Sequence, residues 1–329
     1  MPTIRSAALA LGLILTVAYV GPSYVAPSAA QDYPSRPVRI INPFSPGGSS
    51  DALARTIGLH LQERLGQPVM VESRTGAGGV IGADAVAKSP ADGYTLLAGT
   101  SFLPLAVHTH KSLPFDLLKD LAPVTLIGGT SMLLVAHPSL PAGSMAELIE
   151  LARSKPGELT YASPGTGTPN HLAMELLNEQ LGISMRHVPY RSNPLAMNDV
   201  IAGHVPLLLD FVSTGAPHVR TGAVRALAAT GSRRAKVLPD VPTMMEAGVA
   251  NFQTQAWFGM FAPGATPQGI IAKLHTEIAA VLAMANVQER LDTLGVELTV
   301  GGPDQLAELV RSDLATWGPV VEKSGIVRE

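Results

Sequence analysis

Two glycine-rich loops contain the residue types best suited to binding a ligand. The first runs from Phe44 to Asp51 and reads FSPGGSSD; the second runs from Ser163 to His171 and reads SPGTGTPNH. Each lies between an apolar, strand-like run and an amphipathic helical pattern. Glycines expose backbone N–H groups, hydroxyls add donors, and a helix N-terminus adds a partial positive charge. Two such loops facing each other predict a cleft that holds a small carboxylate between two lobes.

Ligands of open α/β sheets bind at the carboxyl ends of strands, and the loops over 44–51, 75–79, 163–171 and 190–194 meet that condition. Each has a structural alternative. The first loop is otherwise a tight turn with Ser50 as an ordinary N-cap. The segment that starts at Thr75 is either a third wall of the cleft or a surface turn. Ser101, after the third predicted strand, either points into the cleft or is a plain loop serine.

Three further side chains have two interpretations each. Tyr190 ends a predicted strand and either donates to a ligand or packs with a solvated tip. Asp210 ends another strand and either caps a neighbouring loop or contacts a ligand. His171 lies in the first turn of a helix and either contacts the ligand or completes the helix cap.

The elements that position these loops alternate between strand and helix. A strand over 38–41 precedes the first loop, and the helix after it has Leu53, Ile57, Leu61 and Leu65 on one face and ends at Gly66. Strands starting at 68 and over 94–98 follow, with a short helix over 81–88 between them. This β-α-β-α-β order predicts a parallel sheet with helices on both faces.

The pattern recurs in the second half. We predict strands over 132–136, 159–162, 186–189, 207–210 and 224–229, and a helix over 144–154 capped by Ser144. Thr168 and Pro169 suit the start of the helix after the second loop. A strand over 256–262 returns the chain to the first lobe. Helices over 267–283, 286–294 and 303–324 follow, the last with a break at Gly318-Pro319.

Composition limits the class of protein. Residues 1–30 combine Arg5, a charge-free apolar run and small residues before Gln31, which is typical of a secretory signal peptide. A transmembrane anchor is the alternative, although Gly21 and two prolines break the run. The absence of cysteine excludes disulfides, thiol nucleophiles and lipidation at cysteine. A net charge of −3 argues against nucleic acid as a partner.

Signatures of catalysis and of cofactor binding are absent. The sequence has no Gly-x-Ser-x-Gly elbow and no phosphate-binding lysine loop, and Gly76-Ala77-Gly78 lacks the third glycine of a dinucleotide site. His108 and His110 form the only close histidine pair, without a carboxylate cluster, so we expect no metal. We expect no cofactor and no enzyme, although a hydrolase triad is geometric and leaves no fixed spacing.

Several segments together resemble the Bug family, the extracytoplasmic solute receptors of tripartite tricarboxylate transporters. The similarity extends from about Tyr33 to the C-terminus. The matching segments are PFSPGGSSD (43–51), ESRTGAGG (72–79), DGYTL (92–96), YASPGTG (161–167), HVPY (187–190), LPDVPT (238–243) and WFG (257–259).

The resemblance implies a two-lobed α/β fold, that of a type II periplasmic binding protein, which closes around its ligand. With the predicted strands, it places lobe I at 31–131 and 251–329 and lobe II at 132–250, after a signal peptide over 1–30. The implied ligand is a small organic carboxylate, either a di- or tricarboxylate or an aromatic acid. The implied partners are the membrane permease subunits, and we expect a periplasmic monomer.

Combining the resemblance with the loop positions gives one set of candidate ligand-binding residues. The set is Phe44, Ser45, Gly48, Ser50, Thr75, Ser101, Ser163, Thr166, Gly167, Thr168, His171, Tyr190 and Asp210. Two segments depart from the family pattern. The segment 190–193 reads YRSN instead of a Tyr-Lys-Gly-like stretch, and 106–110 replaces an Asn-Pro-x-Leu-Tyr stretch. The alternative functions are a ligand-presenting partner of a sensor kinase and an exported hydrolase.

Overall fold

The computed structural model describes residues 33–252, 254–324 and 326, so the predicted signal peptide lies outside the described residues. Residues from Pro34 onward form one unit. The strands are β1 Val38–Asn42, β2 Val69–Ser73, β3 Thr95–Thr100, β4 Leu121–Ala136, β5 Thr160–Ser163, β6 Arg186–Pro189, β7 Leu207–Phe211, β8 Arg225–Ala229, β9 Gln255–Pro263 and β10 Glu297–Gly301. The helices are α1 Ser49–Leu65, α2 Val80–Ala87, α3 Phe102–Thr109, α4 Leu117–Asp120, α5 Met145–Ser154, α6 Pro169–Leu181, α7 Asn193–Ile201, α8 Val212–Arg220, α9 Gln268–Leu282, α10 Ala285–Thr293 and α11 Pro303–Lys323.

The first group of strands has the order β2-β1-β3-β9-β4. Strand β1 pairs in parallel with β2 and β3, as the β-α-β pattern predicts, and the returning strand β9 joins antiparallel to β3. Helix α1 ends at Gly66, which has a left-handed backbone with φ of 65°. The sheet therefore brings the ends of β1 and β3 to one edge, beside the start of α1.

The second group of strands has the order β4-β7-β5-β6. Strand β5 pairs in parallel with both β6 and β7, whereas β7 and β8 are antiparallel to β4. The side chain of Thr168 caps α6 by accepting a hydrogen bond from the N–H of His171, as expected. The second glycine loop thus connects β5 to α6, as the first connects β1 to α1.

Strand β4 belongs to both groups. It pairs with β9 as far as Ser131, opposite Gln255, and with β7 from Met132, opposite Phe211. The prediction of a strand over 132–136 captured only its last part. The earlier residues include Pro123, Gly128 and Gly129, residue types that disfavour a strand interior. The register shifts along this stretch, and such irregularities accommodate these residues in a strand.

Helix α11 reaches two hydrophobic cores. Its N-terminal half packs through Leu306 and Val310 into the core formed with β1, β3 and β9. Trp317, Val320 and Val321 are buried in the core around β4, α5 and α6. The predicted break at Gly318-Pro319 is wrong, because α11 continues through it. These buried contacts hold the helix together across Pro319, which cannot donate the usual backbone hydrogen bond.

Sequence patterns also missed five shorter elements, namely α3, α4, α7, α8 and β10. Helix α3 packs closely on α11: a Cβ at Gly318 would lie 3.1 Å from the His108 ring. Among the described residues, no single helix is long and apolar enough to cross a bilayer. The consecutive helices α9 and α10, bent by 77°, pass that test only as a pair.

Candidate ligand-binding site

A cavity of about 520 Å³ lies where the ends of β1, β3, β5 and β7 meet. Both groups of strands and both glycine loops line it. Its polar lining consists of Ser49, Ser50, Thr100, Ser101, Thr109, His110, Thr130, Thr166, Thr168, Asn170 and Asn193. Its apolar and glycine lining consists of Phe44, Gly48, Gly78, Phe102, Pro164, Gly167, Pro169, Phe211, Ala256, Phe258 and Ile326.

The charge of this lining is unusual for an anion site. Among the described residues that line the cavity, none is lysine, arginine, aspartate or glutamate, and His110 is the one ionisable side chain. No group of three or more His, Asp or Glu side chains in the described ranges is arranged to hold a metal ion. Any anion here must therefore be held by dipoles and hydrogen bonds.

Asn42, at the end of β1, fixes the first glycine loop. Its side chain is fully buried, and its Nδ2 donates to the backbone oxygen of Phe44 at 2.7 Å and to Ser73 Oγ at 3.2 Å. Its Oδ1 accepts from Ser50 Oγ at 2.9 Å. The Ser50 hydroxyl hydrogen therefore points to Asn42, and the sequence argument missed this supporting residue.

The N-terminus of α1 is open towards the cavity. Gly48, Ser49 and Ser50 line the cavity, and no acceptor within the described chain takes the backbone N–H of Ser49 or Ser50. These N–H groups lie at the positive end of a 17-residue helix. An anion in the cavity would satisfy them, which is the usual way that a helix N-terminus binds a carboxylate.

Asp51 is a carboxylate close to this end of α1 but is held on another side. It accepts from the N–H of Gly47 at 3.0 Å and from Arg55 Nε. The hydrogen bond from Arg55 keeps the pKa of Asp51 below its ordinary value. Asp51 is absent from the cavity lining. Its charge is compensated by Arg55 and by the N–H of Gly47.

The second glycine loop is bonded mostly to itself. The N–H of Gly165 donates to Ser163 Oγ at 3.1 Å, and the N–H of Gly167 donates to His171 Nδ1 at 3.1 Å. Thr168 Oγ1 donates to the Gly165 oxygen at 2.7 Å. The two glycine N–H groups thus already have acceptors inside the protein, and Thr166 supplies a hydroxyl without a partner in the described chain.

A stack of aromatic rings supports this loop from behind. The rings of His171 and His187 lie 3.7 Å apart with an angle of 17° between them, and Tyr161 stacks on His187 at 5.2 Å. His187 Nε2 lies 2.6 Å from Ser163 Oγ. Burial lowers the pKa of His171 to about 3, with a further contribution from His187, and lowers that of His187 to about 4. Both imidazoles are therefore neutral at pH 7.

The pair of Ser163 and His187 is not arranged as a nucleophile and its base. Ser163 is fully buried and is absent from the cavity lining, and its hydroxyl also donates to the oxygen of Gly165. No carboxylate within the described chain hydrogen-bonds the other ring nitrogen of His187. A catalytic triad needs an accessible hydroxyl and an oriented base, so this contact serves the loop.

The cavity brings together seven of the thirteen candidate residues and leaves six out. The seven that line it are Phe44, Gly48, Ser50, Ser101, Thr166, Gly167 and Thr168. The six outside its lining are Ser45, Thr75, Ser163, His171, Tyr190 and Asp210. Ser45 and Thr75 are exposed, as is Arg74, which pairs with Glu72 at 2.7 Å.

Tyr190 and Asp210 are occupied by partners within the protein. The hydroxyl of Tyr190 donates to Asp199 at 2.6 Å; burial and this bond raise the pKa of Tyr190 to about 12. Asp210 accepts from the N–H of Phe211 at 2.8 Å and from Thr214, at the start of α8. Burial raises the pKa of Asp210 to about 6. Asp210 thus contacts the turn that leads into α8, and its two predicted roles, loop cap or ligand contact, stay predictions.

The sequence argument missed the apolar character of the cavity. Four of the seven phenylalanines of the chain line it: Phe44, Phe102, Phe211 and Phe258. Phe102 lies edge-to-face with Phe44 on one side and His110 on the other, each with ring centroids 6.2 Å away. Single phenylalanines at scattered positions leave no periodic signal, so only the fold collects them.

A family model described as the tripartite tricarboxylate transporter family receptor matches residues 53–326. This chain belongs to that family. The resemblance noted in the sequence is thereby confirmed. Protein BugT of Bordetella pertussis is 39% identical over 302 residues, which cover 91% of this chain and 93% of BugT.

Solved structures of family members agree with the fold. The R. palustris protein Rpa4515, solved with adipate, is 35% identical with a TM-score of 0.76, and the match covers 89% of this chain and 99% of Rpa4515. MatC from Rhodopseudomonas palustris, with bound malate, is 34% identical with a TM-score of 0.72, covering 88% and 100%. The predicted two-lobed α/β fold is confirmed. The family and these neighbours are solute receptors rather than enzymes.

Proposed function

We propose that this protein captures a small organic carboxylate in the cavity and delivers it to the membrane subunits of a tripartite tricarboxylate transporter. The observation that carries the proposal is the open N-terminus of α1, where the N–H groups of Ser49 and Ser50 face a cavity without acidic side chains. A carboxylate at such a helix end gains about 0.3–1 kcal/mol from the helix dipole, and more when partly buried.

The proposed contacts divide into two sets. Phe44, Gly48, Ser50, Ser101, Thr166, Gly167 and Thr168 touch the ligand. The six candidates outside the lining act at a distance: Ser163 and His171 shape the second loop, while Ser45, Thr75, Tyr190 and Asp210 belong to the surrounding turns and strand ends. Family members solved with adipate and malate support a carboxylate as the ligand.

The connections between the two strand groups provide the proposed hinge. Thr130 pairs with Ala256 and Ser131 with Gln255 at the point where β4 changes partners, and both Thr130 and Ala256 line the cavity. With lobe I at 31–131 and 251–329 and lobe II at 132–250, both crossings lie here. A ligand that bridges both lobes shifts the equilibrium towards closure.

The proposed location is the periplasm, after cleavage of a signal peptide over residues 1–30. The solved relative BugD, 32% identical, is a periplasmic binding protein. We propose that the receptor acts as a monomer, because both glycine loops at the cavity come from one chain. We propose that it needs no cofactor, because the described lining residues offer dipoles and no group of metal-binding side chains.

The decisive experiment compares acids with their uncharged amides. A panel of aliphatic and aromatic carboxylates, each paired with its primary amide, is tested by thermal shift and calorimetry. An acid that binds raises the melting temperature with its concentration, and its amide does not, because it lacks the charge that the α1 N-terminus attracts. Equal shifts by acid and amide, or no shift by any acid, would refute carboxylate capture.

A further inference from the structure

Two of the polar side chains that line the cavity without an assigned role in holding the carboxylate present an acceptor. They are His110, at the end of α3, and Asn193, the first residue of α7. They come from different strand groups, since α3 follows β3 and α7 follows β6. The following inference rests on the proposed function, because it concerns the part of the ligand that lies beyond its carboxylate.

The hydrogen-bond network sets which nitrogen of His110 is free. Thr109 Oγ1 donates its one hydrogen to the oxygen of Leu105 at 3.0 Å. The same Oγ1 lies 3.3 Å from His110 Nδ1 and must therefore accept a hydrogen from it. A neutral imidazole that carries its hydrogen on Nδ1 has a lone pair on Nε2. His110 is consequently a hydrogen-bond acceptor in its neutral form.

Asn193 presents a second acceptor. Its Oδ1 is buried and has no hydrogen-bond partner within the described chain. A buried acceptor without a partner costs free energy, which a donor on a ligand recovers. No lining residue is an aspartate or glutamate that would balance an ammonium group. The matching donor is therefore uncharged, and a hydroxyl is the simplest such group.

The phenylalanines define what lies between the two ends of the ligand. Phe102 contacts both Phe44, beside the α1 N-terminus, and His110, so the ring centroids of Phe44 and His110 are separated by at most twice 6.2 Å. Phe211 and Phe258 add apolar surface. An aromatic ring or a short methylene chain fits beside such surfaces and loses water contact on binding.

We propose that the ligand is a hydroxylated carboxylate with an apolar body, and that His110 Nε2 and Asn193 Oδ1 share the single hydrogen of its distal hydroxyl in a three-centre hydrogen bond. The two residues determine specificity for the part of the ligand that lies beyond its carboxylate. They select a hydroxy acid over the parent acid, which leaves both acceptors unpaired, and over the diacid, whose second carboxylate has no hydrogen to donate.

Two series of probes test the proposal at pH 7.5 by calorimetry: benzoate, 4-hydroxybenzoate and terephthalate, and hexanoate, 6-hydroxyhexanoate and adipate. In at least one series we expect the hydroxy acid to bind about tenfold tighter than the parent acid, and tighter than the diacid. Replacing His110→Phe keeps the ring beside Phe102, and Asn193→Leu keeps the volume. Either change should reduce the preference for the hydroxy acid to about threefold or less.

Matched controls are His204→Phe, at an exposed histidine outside the cavity lining, and Asn198→Leu, at an exposed position of the same helix α7. Both should keep the full preference, and all four variants are checked for folding by their melting temperatures. Equal binding of parent and hydroxy acids, tightest binding of a diacid, or a preference that survives both cavity variants would overturn the inference alone. Failure of all six probes to bind would overturn it together with the proposed function.

Discussion

His171 and His187 hold opposite ends of the second glycine loop through one stacked pair of rings. His171 accepts the N–H of Gly167, and His187 bonds the hydroxyl of Ser163, while the two ring centroids lie 3.7 Å apart. A protonated His171 has no lone pair to accept the N–H of Gly167. The shape of the loop therefore depends on the His171 ring remaining neutral.

The stability of the protein should change little between pH 6.5 and 4.5, because opposing groups titrate there. His171 and His187 have pKa values lowered to about 3 and 4, so the unfolded state binds their protons first and stability falls as pH falls. Asp210 and Asp313 have pKa values raised by burial to about 6, so the folded state binds their protons first and stability rises. Urea unfolding across this range measures the balance.

Two variants should change the pH dependence of the free energy of unfolding in opposite directions. Asp313→Asn removes a group that stabilises the protein as pH falls. The free energy of unfolding of this variant should therefore decrease by up to about 1.4 kcal/mol for each unit by which pH falls. His187→Phe keeps the stacked rings and removes a group that destabilises the protein as pH falls. The free energy of unfolding of this variant should therefore increase as pH falls. That slope is smaller, because His187 is only half-buried and solvent screens it. Parallel curves for both variants and the native chain would contradict the assignment.

Asp313 should also control the tryptophan fluorescence. The chain has two tryptophans: Trp257 Nε1 donates to Asp313 at 2.7 Å, and Trp317 hydrogen-bonds the same carboxyl group. Gain of a proton by Asp313 changes the charge beside both indoles. We expect the emission to titrate with a midpoint near pH 6, and Asp313→Asn to abolish this transition. A transition that persists in the variant would assign it to another group.

Removing the Asn42 side chain should loosen the first loop. Asn42→Ala leaves the Phe44 oxygen and the Ser50 hydroxyl without their partner, at a cost of about 1–3 kcal/mol in unfolding free energy. Carboxylate affinity should fall as well, since Ser50 and Gly48 line the cavity. Asn286→Ala, at an exposed asparagine, is the control for both measurements. Unchanged stability and unchanged carboxylate affinity in Asn42→Ala would show that the conformation of the first loop does not depend on Asn42.

Two threonines of the second loop, Thr166 and Thr168, should differ in their effect on stability. Thr168→Ala removes the cap of α6 and should cost about 1 kcal/mol of stability. Thr166→Ala removes an exposed hydroxyl at the cavity and should weaken carboxylate binding while leaving the melting temperature of the free protein unchanged. Thermal unfolding and calorimetry on both variants provide the comparison. Unchanged affinity in Thr166→Ala would remove this hydroxyl from the site.

Local patterns predicted the parts of the fold that local chemistry controls. The i+4 apolar residues of α1, Gly66 at its end and Thr168 at the start of α6 could all be recognised in the sequence, because caps and buried faces leave short-range signals. The first part of β4 and the continuity of α11 through Pro319 were not. Both depend on partners more than a hundred residues away, which override the local preferences of proline and glycine.

The site was predicted in outline and not in detail. Both glycine loops could be recognised in the sequence, and both contribute to the cavity. Their symmetry was misleading, because α1 presents open N–H groups while Gly165 and Gly167 are bonded internally. The segments 190–193 and 106–110, where the sequence departs from the family pattern, supply Asn193, Thr109 and His110 to the lining.

The placement of α11 affects how the proposed hinge can move. Leu306 and Val310 are buried in one core and Trp317, Val320 and Val321 in the other, and Lys323 pairs with Glu179 of α6. Two lobes joined in this way cannot swing apart freely, because the far half of α11 must either peel from its core or bend. Each buried valine or tryptophan exposed by peeling costs about 1.5–3 kcal/mol.

Gly318 and Pro319 mark where bending is easiest, since glycine is flexible and proline leaves one helical hydrogen bond unmade. The C-terminal helix thus connects the two cores, and it bends most easily at Gly318-Pro319. A movement of one core relative to the other must therefore bend this helix or detach part of it. That cost adds to the free energy that ligand binding has to supply.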